Sequence, residues 1–143
     1  PRGRMNLTPF HLAIRVHDLE VARDFYGAVL GCAEGRSAPR WVDFDLYGHQ
    51  LSLHLGDAAP PQVHNPVDGD QVPVPHFGVV LRWADWHGLR GRLEAADTAF
   101  ILGPRIRFQG EVGEQATMFF ADPSGNMLEF KSFKDPQRLF ATG

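Results

Sequence analysis

The stretches Pro9-Phe10-His11-Leu12-Ala13-Ile14-Arg15-Val16 and Pro75-His76-Phe77-Gly78-Val79-Val80-Leu81-Arg82 repeat one another, and their reading decides the fold. Each reads as a strand that opens on a histidine and leads into an amphipathic helix. In the first, Phe10, Leu12, Ile14 and Val16 alternate with His11, Ala13 and Arg15. A period of two assigns the first set to a core face and the second to water or a polar cavity. Asp18 then stands at an N-cap position, ahead of Val21, Ala22, Phe25, Val29 and Leu30 at helical spacing, with Gly31 as terminator. These signals predict a helix over 19–30.

Outward from the first stretch, three short strands are predicted at about 32–37, 41–46 and 49–55, with Tyr47-Gly48 as the hairpin signal between the last two. Gln50, Ser52 and His54 share one face of the third strand, and Leu51, Leu53 and Leu55 the other. Residues 57–74, rich in Pro, Asp and Gly, read as a long loop that serves as linker or flap. Beyond the second histidine stretch comes a helix over 85–96, with Trp86, Leu89, Leu93 and Ala96 on one stripe. A strand over 100–108 follows, interrupted at Gly103-Pro104. Two more, over 116–121 and 126–133, are joined by the turn Asp122-Pro123-Ser124-Gly125.

The order strand, helix, three strands therefore occurs twice. It predicts an α+β fold of two βαβββ modules, over 7–56 and 75–133, between a disordered leader over 1–6 and a tail over 134–143. Each module alone exposes one face of a small sheet, so the modules are expected to pack on each other or on a second chain.

Composition narrows the function. At 143 residues and 43% hydrophobic, the chain can bury a core. A net charge of -3 gives no electrostatic footprint for nucleic acid. No apolar run has the length of a membrane span. Cys32 is the only cysteine, which suits a reducing compartment, and a cytoplasmic location is expected.

The chemistry-bearing residues are His11, His76 and Glu129. Two of them open the repeated strands. The third places a carboxylate inside the apolar run Met127-Leu128-Glu129-Phe130, and a buried carboxylate needs a partner. A single histidine near a strand start is ordinarily a surface or packing residue. Two at equivalent places of a repeat, together with the glutamate, suit a divalent metal. A 2-His-1-carboxylate set leaves open positions and is typical of non-haem Fe(II), while Zn, Mn and Ni also accept these ligands. Residue types alone leave the metal site and the packing reading about equally open.

These same residues carry a resemblance. His11-Leu12-Ala13-Ile14-Arg15-Val16, Phe25-Tyr26-Gly27-Ala28-Val29-Leu30-Gly31, His76-Phe77-Gly78-Val79 and Asp122-Pro123-Ser124-Gly125-Asn126-Met127-Leu128-Glu129-Phe130 resemble the vicinal oxygen chelate superfamily. That superfamily contains glyoxalases, extradiol dioxygenases and bleomycin- and fosfomycin-resistance proteins. The resemblance implies curled sheets around a metal-binding cleft, with His11, His76 and Glu129 as ligands. Its look is closest to small proteins related to extradiol dioxygenases. It further implies a small-molecule substrate and a homodimer.

Within that resemblance the branches make different demands. Glyoxalases have a fourth ligand, a glutamate, near position 50. Here the face carries Gln50, Ser52 and His54, and an amide is a poor proton shuttle. Extradiol enzymes place a tyrosine ten residues before the ligand glutamate, where this chain has Phe119. His54 and His64 are candidates for an acid/base role, because imidazole titrates near neutral pH. Arg15 and Arg82, which share the strand parity of His11 and His76, are candidates for holding an anionic substrate. The expected function is an Fe(II)-dependent, extradiol-dioxygenase-like oxidation of a small aromatic or vicinal-oxygen substrate. The alternatives are a glyoxalase-like isomerase or metal-dependent transferase, and a small-molecule-binding protein without chemistry.

Overall fold

The computed structural model describes residues 7–142, so the expected leader over 1–6 lies outside the described residues. The chain divides into two compact units, Pro1–Ala59 and Pro60–Gly143.

The first unit contains β1 (His11–Val16), α1 (Leu19–Arg23), β2 (Ala33–Ala38), β3 (Trp41–Leu46) and β4 (His49–Leu55). Its sheet has the order β1-β4-β3-β2, with β1 parallel to β4 and the other pairs antiparallel. This is the expected βαβββ arrangement. The Asp18 carboxylate caps α1 by accepting from the Val21 N–H at 3.1 Å. The predicted helix over 19–30 is present but changes pitch. From Asp24 to Val29 it widens into a π-helical turn, and the Leu30 N–H reaches the Phe25 carbonyl at 2.9 Å. Tyr26, carried on that turn, is fully buried and tilted against Phe44 at 6.0 Å. Tyr47 and Gly48 both take positive φ, 51° and 91°, as a two-residue hairpin turn requires.

Alternation sorts the first sheet into two faces. Val16, Val42, Phe44, Leu46, Leu51 and Leu53 are buried with Ala22 and Tyr26. Burying one such side chain contributes about 1.5–3 kcal/mol. The opposite face carries His11, Asp43, Gln50, Ser52 and His54. One expectation fails at the edge. Phe10, read as core, is 64% exposed. Its main chain is bonded, the N–H donating to His49 Nδ1 at 2.8 Å and the carbonyl accepting from Gln50 N–H at 2.9 Å. It precedes the first strand pair, His11 with Gln50, and its ring stands outside the core.

The second unit contains β5 (Val63–Val67), β6 (Asp70–Val74), α2 (Trp83–Ala95), β7 (Phe100–Arg107), β8 (Gln115–Ala121) and β9 (Met127–Phe133). The stretch expected as loop or linker over 57–74 thus holds a hairpin, β5 on β6, turned at Asp68-Gly69 with φ of 48° and 85°. Pro66 and Pro73 lack an N–H and make this stretch read as loop, yet a two-stranded ribbon has outward positions where no N–H is needed. Side-chain ion pairs join the hairpin to β7. Arg107 reaches Asp68 at 2.9 Å and Asp70 at 2.8 Å, and Arg105 reaches Asp70 at 3.0 Å.

The strand expected over 75–83 is reduced to two parallel bridges, Phe77 with Leu128 and Val80 with Lys131. The remaining sheet has the order β7-β8-β9. The segment nonetheless runs along β9, the Glu129 N–H donating to the Phe77 carbonyl at 2.8 Å. Gly78 permits this approach, since a Cβ there would lie 1.6 Å from the Glu129 carbonyl oxygen. Helix α2 starts at Trp83, two residues earlier than its apolar stripe suggests. The Gly103-Pro104 break appears as a register shift between Leu102 and Arg105 within β7. Trp86, Leu89 and Leu93 of α2 are buried, as are Met118, Phe120, Leu128 and Phe130. Trp86 Nε1 donates to the Phe130 carbonyl at 2.8 Å, which satisfies the indole in an apolar setting. Among the described residues, no helix is long and apolar enough to cross a membrane.

Candidate metal centre

The three expected ligands fall on both units. His11 opens β1 in the first, and His76 and Glu129 belong to the second. Among the described residues, no group of three or more His, Cys, Asp and Glu side chains stands together as a metal cage. The structure does bring His76 and Glu129 together, and it brings His11 to Gln50.

In the second unit, alternation along β9 buries Leu128, Phe130 and Ser132 and turns Glu129 to the other face. The Glu129 side chain is 14% exposed. One of its oxygens, Oε2, accepts from the Thr117 hydroxyl at 2.6 Å. The other, Oε1, lies 3.1 Å from His76 Nε2. The second ring nitrogen, His76 Nδ1, is 2.6 Å from the Pro73 carbonyl oxygen. A carbonyl only accepts, so Nδ1 carries the proton. In the neutral ring Nε2 is then a bare lone pair, and it faces a carboxylate oxygen. Two acceptors at that distance call for a cation between them, either a proton on the ring or a metal ion. An imidazole with its far nitrogen bonded to a carbonyl, next to a carboxylate held by a hydroxyl, is a donor set that fits a divalent metal. Phe119, paired across the strands with Glu129, packs edge-on against the His76 ring at 5.1 Å.

In the first unit, His11 pairs with Gln50 across β1 and β4, and His11 Nδ1 lies 2.9 Å from Gln50 Oε1. Gln50 Nε2 donates to Asp43 Oδ2 at 3.2 Å, and the Ser52 hydroxyl donates to Asp43 Oδ1 at 2.6 Å. A cavity of about 350 Å³ opens beside this chain of contacts, lined in part by Pro9, Arg36, Asp43, His49 and Gln50. Gln50 and Ser52, expected as cleft-lining residues, are thus engaged in orienting their neighbours.

The remaining candidates are more dispersed. His54 is exposed near the end of β4, opposite Arg15, on the face of Gln50 and Ser52. His64 is exposed on the β5–β6 hairpin. Arg82 is a solvent-facing residue whose Nε bonds Asp85 at 2.9 Å at the start of α2. Three contributors escaped the sequence reading: Asp43, Thr117 and the Pro73 carbonyl. Asp43 and Thr117 become visible only through strand register. A main-chain acceptor leaves no mark in sequence.

Comparison with known proteins agrees with this architecture. The model of the Glyoxalase/Bleomycin resistance protein/Dioxygenase superfamily matches residues 8–130. No curated protein matches the chain significantly. Among solved structures, a glyoxalase/bleomycin resistance protein/dioxygenase from Alicyclobacillus acidocaldarius is 33% identical, with a TM-score of 0.76 over 93% of this chain and 96% of that one. A genomically encoded fosfomycin resistance protein from Listeria monocytogenes, 19% identical, superposes with a TM-score of 0.65 over 93% of this chain and 97% of its own. A lactoylglutathione lyase from Agrobacterium tumefaciens, 18% identical, gives 0.61 over 94% and 97%. The last two are similar in fold alone.

Proposed function

The chain belongs to the glyoxalase/bleomycin resistance protein/dioxygenase superfamily, and from that premise we propose a metal-dependent enzyme acting on a small substrate with neighbouring oxygens, its metal held by His11, His76 and Glu129. The observation that carries the proposal is the His76 Nε2 to Glu129 Oε1 contact at 3.1 Å, with the far ring nitrogen already bonded to Pro73. A bound divalent metal supplies Lewis acidity to two substrate oxygens and, as Fe(II), one-electron chemistry with O₂.

The reaction we favour is an extradiol-dioxygenase-like oxidation of a small aromatic. Three ligands with no carboxylate at Gln50 support it, because a proton-shuttling isomerase would use that carboxylate. In this reading Thr117 holds Glu129 in place and Phe119 walls the site beside His76. His54 moves protons from the polar face of the first sheet, with His64 on the hairpin as second candidate. Arg15 holds an anionic group of the substrate. The proposal includes a homodimer, which analytical ultracentrifugation tests.

One observation favours a second reading, a glyoxalase-like isomerase or metal-dependent transferase. Phe119, 4% exposed and directly across from Glu129, offers no hydroxyl where extradiol enzymes place a tyrosine. Anaerobic reconstitution with Fe(II), Zn(II), Mn(II) or Ni(II), followed by oxygen-electrode assays on a panel of catechols, separates the two. Oxygen uptake with Fe(II) only, abolished in His76→Ala and Glu129→Ala, is the expected result. Silence with every catechol counts against ring cleavage. Undiminished metal affinity in His76→Ala would overturn the metal proposal itself.

A further inference from the structure

We propose that Asp43 is a positioning residue for His11, and that through the Gln50 amide it fixes which ring nitrogen of His11 carries the proton. The three residues lie on three neighbouring strand positions of one sheet face, His11 on β1, Gln50 on β4 and Asp43 on β3. Asp43 is 8% exposed and Ser52 6% exposed, so this end of the chain of contacts is shielded.

A carboxylate only accepts, and Asp43 accepts from Ser52 at 2.6 Å and from Gln50 Nε2 at 3.2 Å. Gln50 must therefore turn its NH₂ group toward Asp43. That orientation leaves Gln50 Oε1 toward His11, 2.9 Å from Nδ1. An amide oxygen also only accepts, so the proton sits on Nδ1 and Nε2 is bare. The opposite amide orientation would face Oε1 to a carboxylate and the NH₂ to His11 Nδ1. It would drive the ring proton onto Nε2 and close the nitrogen a metal would use. Asp43 thus acts on His11 without touching it. His76 reaches the same tautomer through the Pro73 carbonyl. Two histidines with Nδ1 held by an acceptor, by unrelated means, is the arrangement metal-ligating imidazoles adopt. The consequence for metal affinity rests on His11 being a ligand, whereas the tautomer itself does not.

The test uses the full chain, ¹⁵N-labelled and metal-free, at a pH where the histidines are neutral. Long-range ¹H–¹⁵N correlation reads the tautomer of His11 directly. Wild type is expected in the Nδ1–H form. Asp43→Ala is expected to move at least half the population to Nε2–H and to weaken Zn(II) binding by about 10–100-fold. Asp43→Asn, which keeps an oxygen for Gln50, is expected to stay near wild type in both measurements. Should Asp43→Ala fail to fold, Gln50→Leu at its exposed position removes the same link and is expected to shift the tautomer likewise. A wild-type ring in the Nε2–H form, or an unchanged tautomer in the folded variant, overturns the proposal. His11→Ala separates the two layers. Unaltered Zn(II) affinity in that variant would remove His11 as ligand and leave the tautomer result standing.

Discussion

Each unit brings a polar side chain to a histidine and supports it from the neighbouring strand, and the two do so with opposite chemistry. In the second, Glu129 on β9 is held by Thr117, which pairs two residues along on β8. In the first, Gln50 on β4 is held by Asp43, which pairs two residues along on β3. The hydrogen bond spans the same diagonal in both cases, but its direction is reversed. The second unit has its carboxylate beside the histidine and a hydroxyl behind it. The first has an amide beside the histidine and its carboxylate behind. One fold element can therefore present charge to a ligand or withhold it by exchanging two side chains on adjacent strands. In a low-dielectric setting that choice decides how much positive charge a site can neutralise.

The comparison can be broken most severely at Gly78. If the second unit owes its His76–Glu129 contact to two backbones in close approach, Gly78→Ala should be ruinous, because its Cβ would stand 1.6 Å from the Glu129 carbonyl oxygen. A loss of about 3 kcal/mol or more is expected from urea denaturation, together with loss of metal binding. In the first unit, Gly48→Ala at the hairpin tip, with φ of 91° but open space around it, should cost about 1 kcal/mol.

Gln50→Glu would set two carboxylates against each other on the first unit's diagonal. The new carboxylate would lie near 3.2 Å from Asp43, where the amide now donates. Like charges at that separation should cost about 2 kcal/mol in thermal or chemical unfolding at neutral pH. The pair Asp43→Thr with Gln50→Glu copies the second unit's chemistry into the first, and should recover most of that stability. A single substitution as stable as wild type would show that the diagonal bond carries no weight. The smallest effect is expected from Thr117→Val, which removes one hydroxyl donor from Glu129 at the cost of about 1 kcal/mol. Its clearer reading is metal titration, where a fall of about 10-fold is expected.

Much of this fold was legible in sequence, because alternation is local. His11-Leu12-Ala13-Ile14-Arg15-Val16 announces its strand, and Tyr47-Gly48 announces its turn. The β5–β6 hairpin was hidden although Asp68-Gly69 is a strong turn signal, because Pro66 and Pro73 argue against strands on either side. Phe10 misled because period two continues past the point where the strand pairs with β4. For the site, the candidate ligands were readable as residue types in a repeat. Their supports were not, since Asp43 looks like any polar-face residue of Trp41-Val42-Asp43-Phe44-Asp45-Leu46 until β4 is laid beside it in register. The diagonal contact is a property of the sheet, and no single strand contains it.

The Pro73 carbonyl that holds His76 has a consequence for inheritance. Every amino acid at position 73 carries a carbonyl, so no substitution there deletes the acceptor. His11 depends on two side chains, Gln50 and Asp43, and either can be erased by one codon change. The two histidines therefore present unequal targets to random mutation. A lineage drifting toward a different metal, or toward none, has more single steps available through the first unit than through the second.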